Sequence, residues 1–437
     1  MFKCGLAEVD ITPILGSIIP GQFHVRYSTG IKDNLYAKAV VLDNGENILA
    51  VIAIDALFVE DSSVKSIREK INKAIGIPET NIMVSATHIH SGGPVCSWGD
   101  YIKKDTLYIE HMIDKCVDAT IMAYNKAKPS VISFGKGSEK DISFNRRFLM
   151  KDGGVRTNAG IKNPDIVKPV GPIDPDVTIA KINDEEGNII GVITNFACHL
   201  DVVGGNEYSG DYPGELSRML KKTFGEKVVS IFLTGTCGNI NHVDVSGKVD
   251  NYKEHYIKMG KILAGEVIKT LERTEPCNDI QLAAQSRKIE LLVRQPSPEY
   301  LAKAKDIVAN SELKNSDLAN AHGIELVEYF YAKEAIRMSV EKEESVNIEV
   351  QVLKIGELSI SALPSEIFVE FGLDIKSRSP FKYNMVNSLA NGIFGYIPVR
   401  EAFKQGGYEI RLCATSRLEE EAGYKMVDNA VELLKKI

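Results

Sequence analysis

The chain has 437 residues, of which 44% are hydrophobic and 25% are charged, and these fractions exclude a disordered chain, a collagen-like repeat and a coiled coil. Its 52 Lys and Arg residues against 59 Asp and Glu residues give a net charge of −7, so no general positive field attracts nucleic acid or an anionic membrane surface. The longest apolar stretches are shorter than the ~20 residues that a transmembrane helix needs, so we expect no stable membrane insertion.

The N-terminus and the cysteines indicate the compartment. Glu8 and Asp10 interrupt the opening sequence MFKCGLAEVDITP before the apolar core of a secretory signal could form, and this predicts a cytoplasmic location. The seven cysteines are scattered and form no CxxC pair. Buried reduced thiols are therefore expected, rather than a disulfide framework or a zinc finger of the cysteine type.

Short apolar runs alternate with amphipathic segments along the chain, as in an α/β protein. The predicted strands are residues 37–42, 48–54, 82–86, 131–134, 177–182, 189–196 and 228–234. The predicted helices are residues 62–75, 108–127, 214–224 and 251–273, with a solvated helical hairpin over 300–340. The first two strands form a hairpin, and the helix after them is a crossover to the third strand.

A segment rich in Gly, Pro, Asn and Arg, residues 144–175, predicts a long loop of the kind that binds ligands rather than packing in a core. Arg146 and Arg147 lie near the start of this segment. A guanidinium matches a carboxylate in bidentate fashion, so these side chains are candidates for binding an anionic group of a substrate. The alternative is a pair of solvated loop arginines.

Two of the eight histidines, His88 and His90, lie in the run ATHIHSGG at the end of the predicted strand 82–86. Residues two apart in a strand point to the same face, so both imidazoles can enter one pocket. The glycines that follow begin a turn away from the sheet. The pattern favours a metal or catalytic site over two histidines that are satisfied by hydrogen bonds in the core.

A third histidine, His199, follows the apolar strand 189–196, and Asp201 comes two residues later. Ligand sites of α/β sheets form at strand ends, and neutral imidazole is a common metal ligand, so His199 is predicted to share one metal site with the first pair. Asp55 and Asp211 are candidates to orient the ligating rings.

Another strand end carries the run LTGTCGNINHV, in which small residues let the backbone approach a ligand closely. This run supplies Asn239, Asn241 and His242. Taken alone, it is a turn with polar side chains.

These pieces together resemble the catalytic domain of the neutral, non-lysosomal ceramidases, which are zinc amidases of N-acyl sphingoid bases, and more closely their shorter bacterial relatives. The matching blocks occur in the same order over most of the chain. They are AEVDITP, YAKAVVLD, SATHIHSGG, FNRR, NPDIVKPVGPIDPDV, NFACHLDVVGG, SGDYPG, FLTGTCGNINHVD, LPSEIFVEFG, LANGIFGYIP and GGYE. The resemblance implies an α/β fold with a mixed β-sheet core and helices packed outside.

The resemblance also implies site residues at positions that match the family motifs. It implies Zn²⁺ held by His88, His199, Glu366 and Tyr396. It further implies catalytic roles for His90, which faces the scissile group, and for Tyr408 in GGYE.

The resemblance implies one large catalytic domain over residues 1–437, with a helical insertion at about 295–345. The chain ends at Ile437. We therefore expect no C-terminal immunoglobulin-like domain of the kind found in full-length ceramidases.

The chain departs from the family at the catalytic serine, which belongs in a GDxSPN-like loop. Asn241 stands at that place, and His242 stands where the family has proline. An amide is not a nucleophile at neutral pH, so we expect direct hydrolysis by metal-bound water, with Asn241 donating to the oxyanion. His242 would bind substrate or pass protons. Cys237 is the alternative nucleophile nearby, although a buried structural thiol is the simpler interpretation.

The function predicted from the sequence is zinc-dependent hydrolysis of an amide bond in a small or medium N-acyl compound, with His90 and Tyr408 stabilising the oxyanion and protonating the leaving amine. Such an enzyme is a poor candidate for degrading membrane ceramide. Two alternatives stay open: a metallohydrolase of esters or lactones, and a ligand-binding relative without catalysis. The sequence does not determine the acyl group, the amine or the oligomeric state.

Overall fold

A computed structural model describes residues 1–99, 101–249, 254–315 and 318–437. The helices of these residues are α1 Asp61–Ile75, α2 Thr106–Asn125, α3 Asp211–Phe224, α4 His255–Leu271, α5 Pro298–Asn310, α6 Gly323–Glu341, α7 Val369–Arg378, α8 Arg400–Gln405 and α9 Ala422–Leu434. Short 3₁₀ turns lie at Glu79–Asn81, Glu312–Asn315, Leu318–Asn320 and Tyr408–Ile410. Within this part of the chain, none of the helices combines the length and the apolar character needed to cross a bilayer.

The strands are numbered in chain order. The first twelve are β1 Lys3–Asp10, β2 Gly30–Ile31, β3 Tyr36–Asp43, β4 Ile48–Ile54, β5 Ile82–Ala86, β6 Lys128–Pro129, β7 Val131–Ser138, β8 Phe144–Asn145, β9 Arg147–Met150, β10 Val155–Thr157, β11 Ile166–Pro169 and β12 Asp176–Asn183. The others are β13 Ile189–Phe196, β14 Glu207–Tyr208, β15 Val229–Thr234, β16 Ile240–Asn241, β17 Glu275–Pro276, β18 Leu282–Leu292, β19 Ser345–Ile355, β20 Leu358–Ala362, β21 Glu366–Ile367, β22 Tyr383–Asn387 and β23 Tyr396–Ile397.

Two five-stranded mixed sheets form the centre of the fold, in the orders β5-β4-β3-β1-β6 and β15-β13-β12-β7-β17. Alternation along the strands separates two cores. In β3, for example, Val40 and Leu42 belong to the core between the sheets, whereas Ala39 and Val41 face the core on the helical side. Helices α1 to α4 contribute to that second core. The fold class expected from the resemblance, an α/β fold with a mixed sheet core and helices outside, is confirmed.

The strands that lead to the predicted site follow the sequence pattern closely. The hairpin of β3 and β4 pairs antiparallel, α1 crosses over, and β5 pairs parallel with β4. Strand β13 pairs parallel with β15, which places the ends of both strands at the same edge. The predicted helix over 251–273 corresponds to α4, and its first residues, 251–253, lie outside the described part of the chain.

A third sheet, in the order β18-β19-β20-β22, was not assigned from the sequence. Strand β18, LAAQSRKIELL, is partly exposed along most of its length and carries polar side chains on both faces. It therefore lacks the apolar run or the strict alternation by which a strand is recognised. The predicted helical hairpin is present as α5 and α6, which pack through Ala304, Ala332 and Ala335; residues 316–317 between them lie outside the described residues.

The prediction of one long loop over residues 144–175 is wrong, because the segment contains β8 to β11. Strand β9 lies between β10 and β11 in a three-stranded sheet, and β8 pairs with β16. These strands have two to four residues each, which is too short to show a period in the sequence. The segment is thus a folded layer that brings Arg146 and Arg147 into the interior.

Candidate functional site

His88 and His90 meet at the end of β5, but not by strand alternation. The strand ends at Ala86, and His88 has a φ of 74°, in the left-handed region that is rare for a residue with a side chain. The backbone N–H of His88 donates to the carbonyl of Ala56. The ring centroids of the two histidines are 5.0 Å apart, so a turn brings together the rings that were expected to share a strand face.

His199 joins this pair from the end of β13. The neighbouring residue Leu200 forms a parallel bridge with Ile89, and the N–H of His90 donates to the Leu200 carbonyl. This bridge sets the His199 ring 4.5 Å from the His88 ring, centroid to centroid. The imidazole nitrogens of the three histidines lie within 4.8 Å of one another.

Each of the three rings is anchored at Nδ1 by a backbone carbonyl. The distances are 2.7 Å from His88 to Leu57 O, 2.9 Å from His90 to Gly21 O and 3.3 Å from His199 to Cys237 O. A carbonyl only accepts hydrogen bonds, so Nδ1 carries the proton and Nε2 presents a lone pair. These carbonyls perform the orienting role that was expected of carboxylates.

Asp55 and Asp211 were predicted to orient the histidine rings, but both bind other groups. Asp55 accepts hydrogen bonds from the N–H of Tyr36 and the hydroxyl of Thr87, and Asp211 accepts from the N–H groups of Val203 and Tyr212. Both carboxylates therefore stabilise the backbone around the site rather than its imidazoles.

Burial keeps two of the three imidazoles, those of His90 and His199, neutral. It lowers the pKa of His90 to about 4, and burial, His88 and Arg146 together hold the pKa of His199 well below its usual value. At neutral pH these two imidazoles therefore carry no charge and offer lone pairs to an ion. His88 and His199 are only 2% and 1% exposed, so water does not surround them.

Glu366 supplies a carboxylate to the same place. Strands β21 and β23 pair parallel with Glu366 opposite Tyr396. One oxygen of Glu366, Oε2, lies 3.3 Å from Nε2 of His88 and 3.6 Å from Nε2 of His199. This oxygen is buried, and none of the residues that the structure describes donates a hydrogen bond to it. Burial raises the pKa of Glu366, but the two histidines and Tyr396 outweigh it and lower the value to about 2, so the carboxylate is ionised.

The donor set fits a metal ion. Nε2 of His88, Nε2 of His199 and Oε2 of Glu366 lie within 3.6 Å of one another, and a cation among them would bind all three atoms. Histidine and carboxylate are ligands that Zn²⁺ takes in proteins. All four predicted ligands are brought together, since His88, His199, Glu366 and Tyr396 are neighbours. The three histidines His88, His90 and His199 also lie close enough together to hold a metal ion.

Tyr408 borders the site from the 3₁₀ turn Tyr408–Ile410. Its ring centroid lies 5.5 Å from that of Tyr396, and burial raises its pKa, so the hydroxyl is neutral and can donate. Tyr408 is also a member of an aromatic cluster. The members of this cluster are Phe23, Trp98, Phe330, Tyr331 and Tyr408.

The two predicted arginines bind an internal carboxylate. Glu409 is fully buried and accepts from Nε of Arg146 at 3.0 Å and from Nη1 of Arg147 at 2.8 Å. The alternative of solvated loop arginines is therefore wrong, because both side chains are buried. Glu409 already takes the place that was assigned to a substrate carboxylate. Arg146 keeps a position at the site, with its guanidinium 5.4 Å from the centroid of the Tyr396 ring.

The side chain of Asn241 makes contacts that differ from its predicted role. The Nδ2 group of Asn241 donates to Oδ1 of Asn158 at 2.8 Å, and its own Oδ1 accepts from the N–H of Val243. The amide that was expected to donate to an oxyanion is therefore engaged within the protein. His242 lies next to it, with Nδ1 3.1 Å from Oδ1 of Asp201. Asn239 anchors α7 through Val369 and Glu370.

Cys237 has the structural role that was the simpler interpretation. Its side chain is fully buried beside Ile240 and Val369, and burial raises the pKa of the thiol. Its backbone carbonyl contacts Nδ1 of His199.

Sequence reasoning missed Gly21, Arg26 and Glu409. Glu409 lies in the family block GGYE, and an acidic residue beside a predicted catalytic tyrosine is the signal that could have found it. Gly21 and Arg26 reach His90 across more than sixty positions of the chain. Nothing in their local pattern indicates this contact.

Comparisons with known proteins agree with this geometry. The family model described as neutral/alkaline non-lysosomal ceramidase, N-terminal, matches residues 2–256. A curated relative, the neutral ceramidase of Pseudomonas aeruginosa, is 22% identical over 467 residues, which cover 93% of this chain and 68% of the relative.

Solved structures extend the likeness to the whole fold. The crystal structure of neutral ceramidase from Pseudomonas aeruginosa has a TM-score of 0.76 at 19% identity and covers 100% of this chain and 75% of that one. A structure described as ceramidase complexed with C2 has a TM-score of 0.75 at 19% identity and covers 100% and 76%. Since the family model matches more than half of the residues, the chain belongs to the neutral/alkaline non-lysosomal ceramidase family.

Proposed function

We propose that the protein is a zinc-dependent amidohydrolase that cleaves the amide bond of a small or medium N-acyl compound. Membership of the family supports amide hydrolysis of a ceramide-like substrate. The observation that carries the metal dependence is the convergence of imidazole lone pairs on the unpartnered, buried oxygen of Glu366.

In this proposal His88, His199, Glu366 and Tyr396 hold the ion. Zn²⁺ in such a site polarises a carbonyl and lowers the pKa of water toward neutrality. The carbonyls of Leu57 and Cys237 fix the tautomers of the two histidines and raise their basicity as ligands. Arg146 and Tyr408 both pack against the ring of Tyr396.

His90 and Tyr408 then act on the substrate. Nε2 of His90 is buried and has no hydrogen-bond partner among the described residues, so it is available to take a proton from water and return it to the leaving amine. The neutral hydroxyl of Tyr408 donates to the oxygen that becomes negative, a contribution of about 10²–10³ in rate for one donor. The aromatic cluster beside Tyr408 is an apolar surface for the acyl chain.

Water is the proposed nucleophile, without an acyl-enzyme. Asn241 stands at the position of the family serine, and the thiol of Cys237 stays protonated because its pKa is raised by burial. Neither side chain offers an activated nucleophile next to a base.

Elemental analysis and a substrate screen test the proposal together. We expect one zinc per chain, with loss of the metal and of activity in the His88→Ala, His199→Ala double variant. The control is His111→Ala on the exposed face of α2. The metal-loaded protein is assayed on N-acyl amino acids, N-acyl amines and short-chain ceramides, and in parallel on esters and lactones.

The outcomes separate the alternatives. Cleavage of esters or lactones alone supports the other metallohydrolase class, and metal binding without turnover of any compound supports a binding relative. Full metal occupancy in the double variant contradicts the site. The single-domain organisation and the cytoplasmic location stay predictions.

A further inference from the structure

A hairpin near the N-terminus, residues 16–28, covers His90. Its two arms are joined by backbone hydrogen bonds, among them Gly16 N–H to Ser28 O at 2.9 Å and Ile19 N–H to Arg26 O at 2.8 Å. The tip of this hairpin carries Phe23 into the aromatic cluster beside Tyr408. The tip therefore contacts His90 and Tyr408, the two residues that act on the substrate in the proposed reaction.

Arg26 ties the hairpin to the turn that holds His90. Its Nη2 donates to the carbonyl of His90 at 2.6 Å and to that of Pro20 at 2.8 Å, and its Nη1 donates to the carbonyl of Gly205 at 3.0 Å. Arg26 is 5% exposed. Within the described part of the chain no carboxylate forms an ion pair with it, so its charge is directed entirely at backbone carbonyls.

Gly21 completes the contact from the same tip. Its carbonyl accepts from Nδ1 of His90 at 2.9 Å. Its φ is +99°, and a Cβ on Gly21 would lie 2.8 Å from Nδ1 of His90, closer than real Cβ atoms come. Only glycine therefore gives the backbone this approach to the ring.

We propose that Arg26 is a positioning residue for His90. By binding the carbonyls of Pro20 and His90 with one nitrogen, it fixes the Gly21 carbonyl against the ring. That contact keeps the proton on Nδ1 and directs Nε2 into the site. The inference rests on the proposed function, in which His90 transfers the proton. It adds a positioning residue that is not one of the proposed metal ligands.

Substitution of Arg26 is the first test. Arg26→Met should lower kcat by about 10²-fold, the loss that follows from a misplaced reacting group, with a change in KM of less than about threefold. Arg26→Lys should recover part of the loss, because one ammonium can reach the Pro20 and His90 carbonyls but does not span to Gly205. Arg400→Met, on an exposed arginine paired with Glu421, is the matched control and should leave kcat unchanged.

A pair of glycines provides the second test. Gly16 and Gly21 both have positive φ, but a Cβ at Gly16 meets nothing within 4 Å. Both alanine variants therefore have a strained backbone, but only in Gly21→Ala does the new Cβ clash with the His90 ring. We expect kcat to fall in Gly21→Ala and to stay near the wild-type value in Gly16→Ala.

A spectroscopic readout makes the inference independent of activity. In metal-free protein with ¹⁵N-labelled histidine, the Nδ1–H signal of His90 is identified by its loss in His90→Gln. It should shift or disappear in Arg26→Met and Gly21→Ala and persist in Arg400→Met and Gly16→Ala, while the zinc content of the loaded proteins stays at one per chain. An unchanged signal in Arg26→Met and Gly21→Ala overturns the positioning role. Absence of hydrolysis by the wild-type protein would defeat the proposed function alone, because the signal still decides the role of Arg26.

Discussion

The Nε2 atoms of His88 and His199 lie 3.0 Å apart, although the proton of each ring is held at Nδ1 by a backbone carbonyl. Two lone pairs at this distance repel each other unless an ion or a proton lies between them. Burial, His88 and Arg146 lower the pKa of His199, which disfavours the proton. A cation between the two nitrogens would bind both lone pairs, and the prediction for zinc depends on this arrangement.

Zinc should stabilise the folded protein. An ion that binds only the native state adds about 4 kcal/mol when its free concentration is about 1000 times Kd. We expect the unfolding temperature of chelator-treated protein to rise by several degrees when zinc is added, as measured by calorimetry. The His88→Ala, His199→Ala variant should show no such rise, and His111→Ala should behave as the wild type. An equal rise in the double variant would place the ion elsewhere.

Glu409 should be important for stability. It is fully buried and holds both Arg146 and Arg147. Removing one partner of a buried ion pair typically costs about 3–5 kcal/mol, because the remaining charges stay buried. We expect Glu409→Gln to lower the free energy of unfolding by about this amount in urea titrations.

The control for Glu409 is Glu421→Gln, which breaks the exposed pair with Arg400. Surface pairs contribute about 0–1 kcal/mol, so this variant should unfold near the wild-type midpoint. Equal losses in the two variants would mean that the buried network is no more important than a surface pair.

The strands that lead to the site could be predicted because each is a continuous apolar run. Strands β4, β5 and β13 begin and end at the predicted residues. The histidines that follow them were therefore found at the correct edge. The conformation of His88 was not, since a positive φ at a histidine leaves no trace in the pattern of apolar residues.

The contacts that complete the site could not be predicted, because they join residues far apart in the chain. Arg147 and Glu409 are 262 positions apart, and Arg26 and His90 are 64 apart. Periodicity reports only the face of a single element, so it carries no information about such pairs. Family resemblance pointed to Glu366 and Tyr396, which the local pattern alone would assign to ordinary surface or capping positions.

Acid should destabilise the hairpin through His24. Burial, Arg26 and His322 lower the pKa of His24 below 6.5. The unfolded chain therefore binds this proton more readily, and stability falls as the pH drops through 6.5 toward the lower folded value. Between pH 8 and pH 5, we expect the unfolding temperature of His24→Gln to fall less than that of the wild type. His111→Gln is the control, and an identical loss in all three proteins would contradict the assignment.

Turnover should leave no acyl group on the protein. The thiol of Cys237 is buried and its pKa is raised, and only its carbonyl supports the site. Cys237→Ala keeps that carbonyl, so kcat should stay within about threefold of the wild-type value. Asn241→Ala removes partly buried hydrogen bonds to Asn158 and Val243, which are worth about 1 kcal/mol each, so it should lower stability by about 1–2 kcal/mol. Its effect on kcat should not exceed a few hundredfold, which lies within the range of about 10²–10³ for one oxyanion donor. Intact-protein mass spectrometry during turnover checks the mechanism, since a mass increase equal to the acyl group that vanishes in Cys237→Ala would identify a covalent route and exclude direct attack by water.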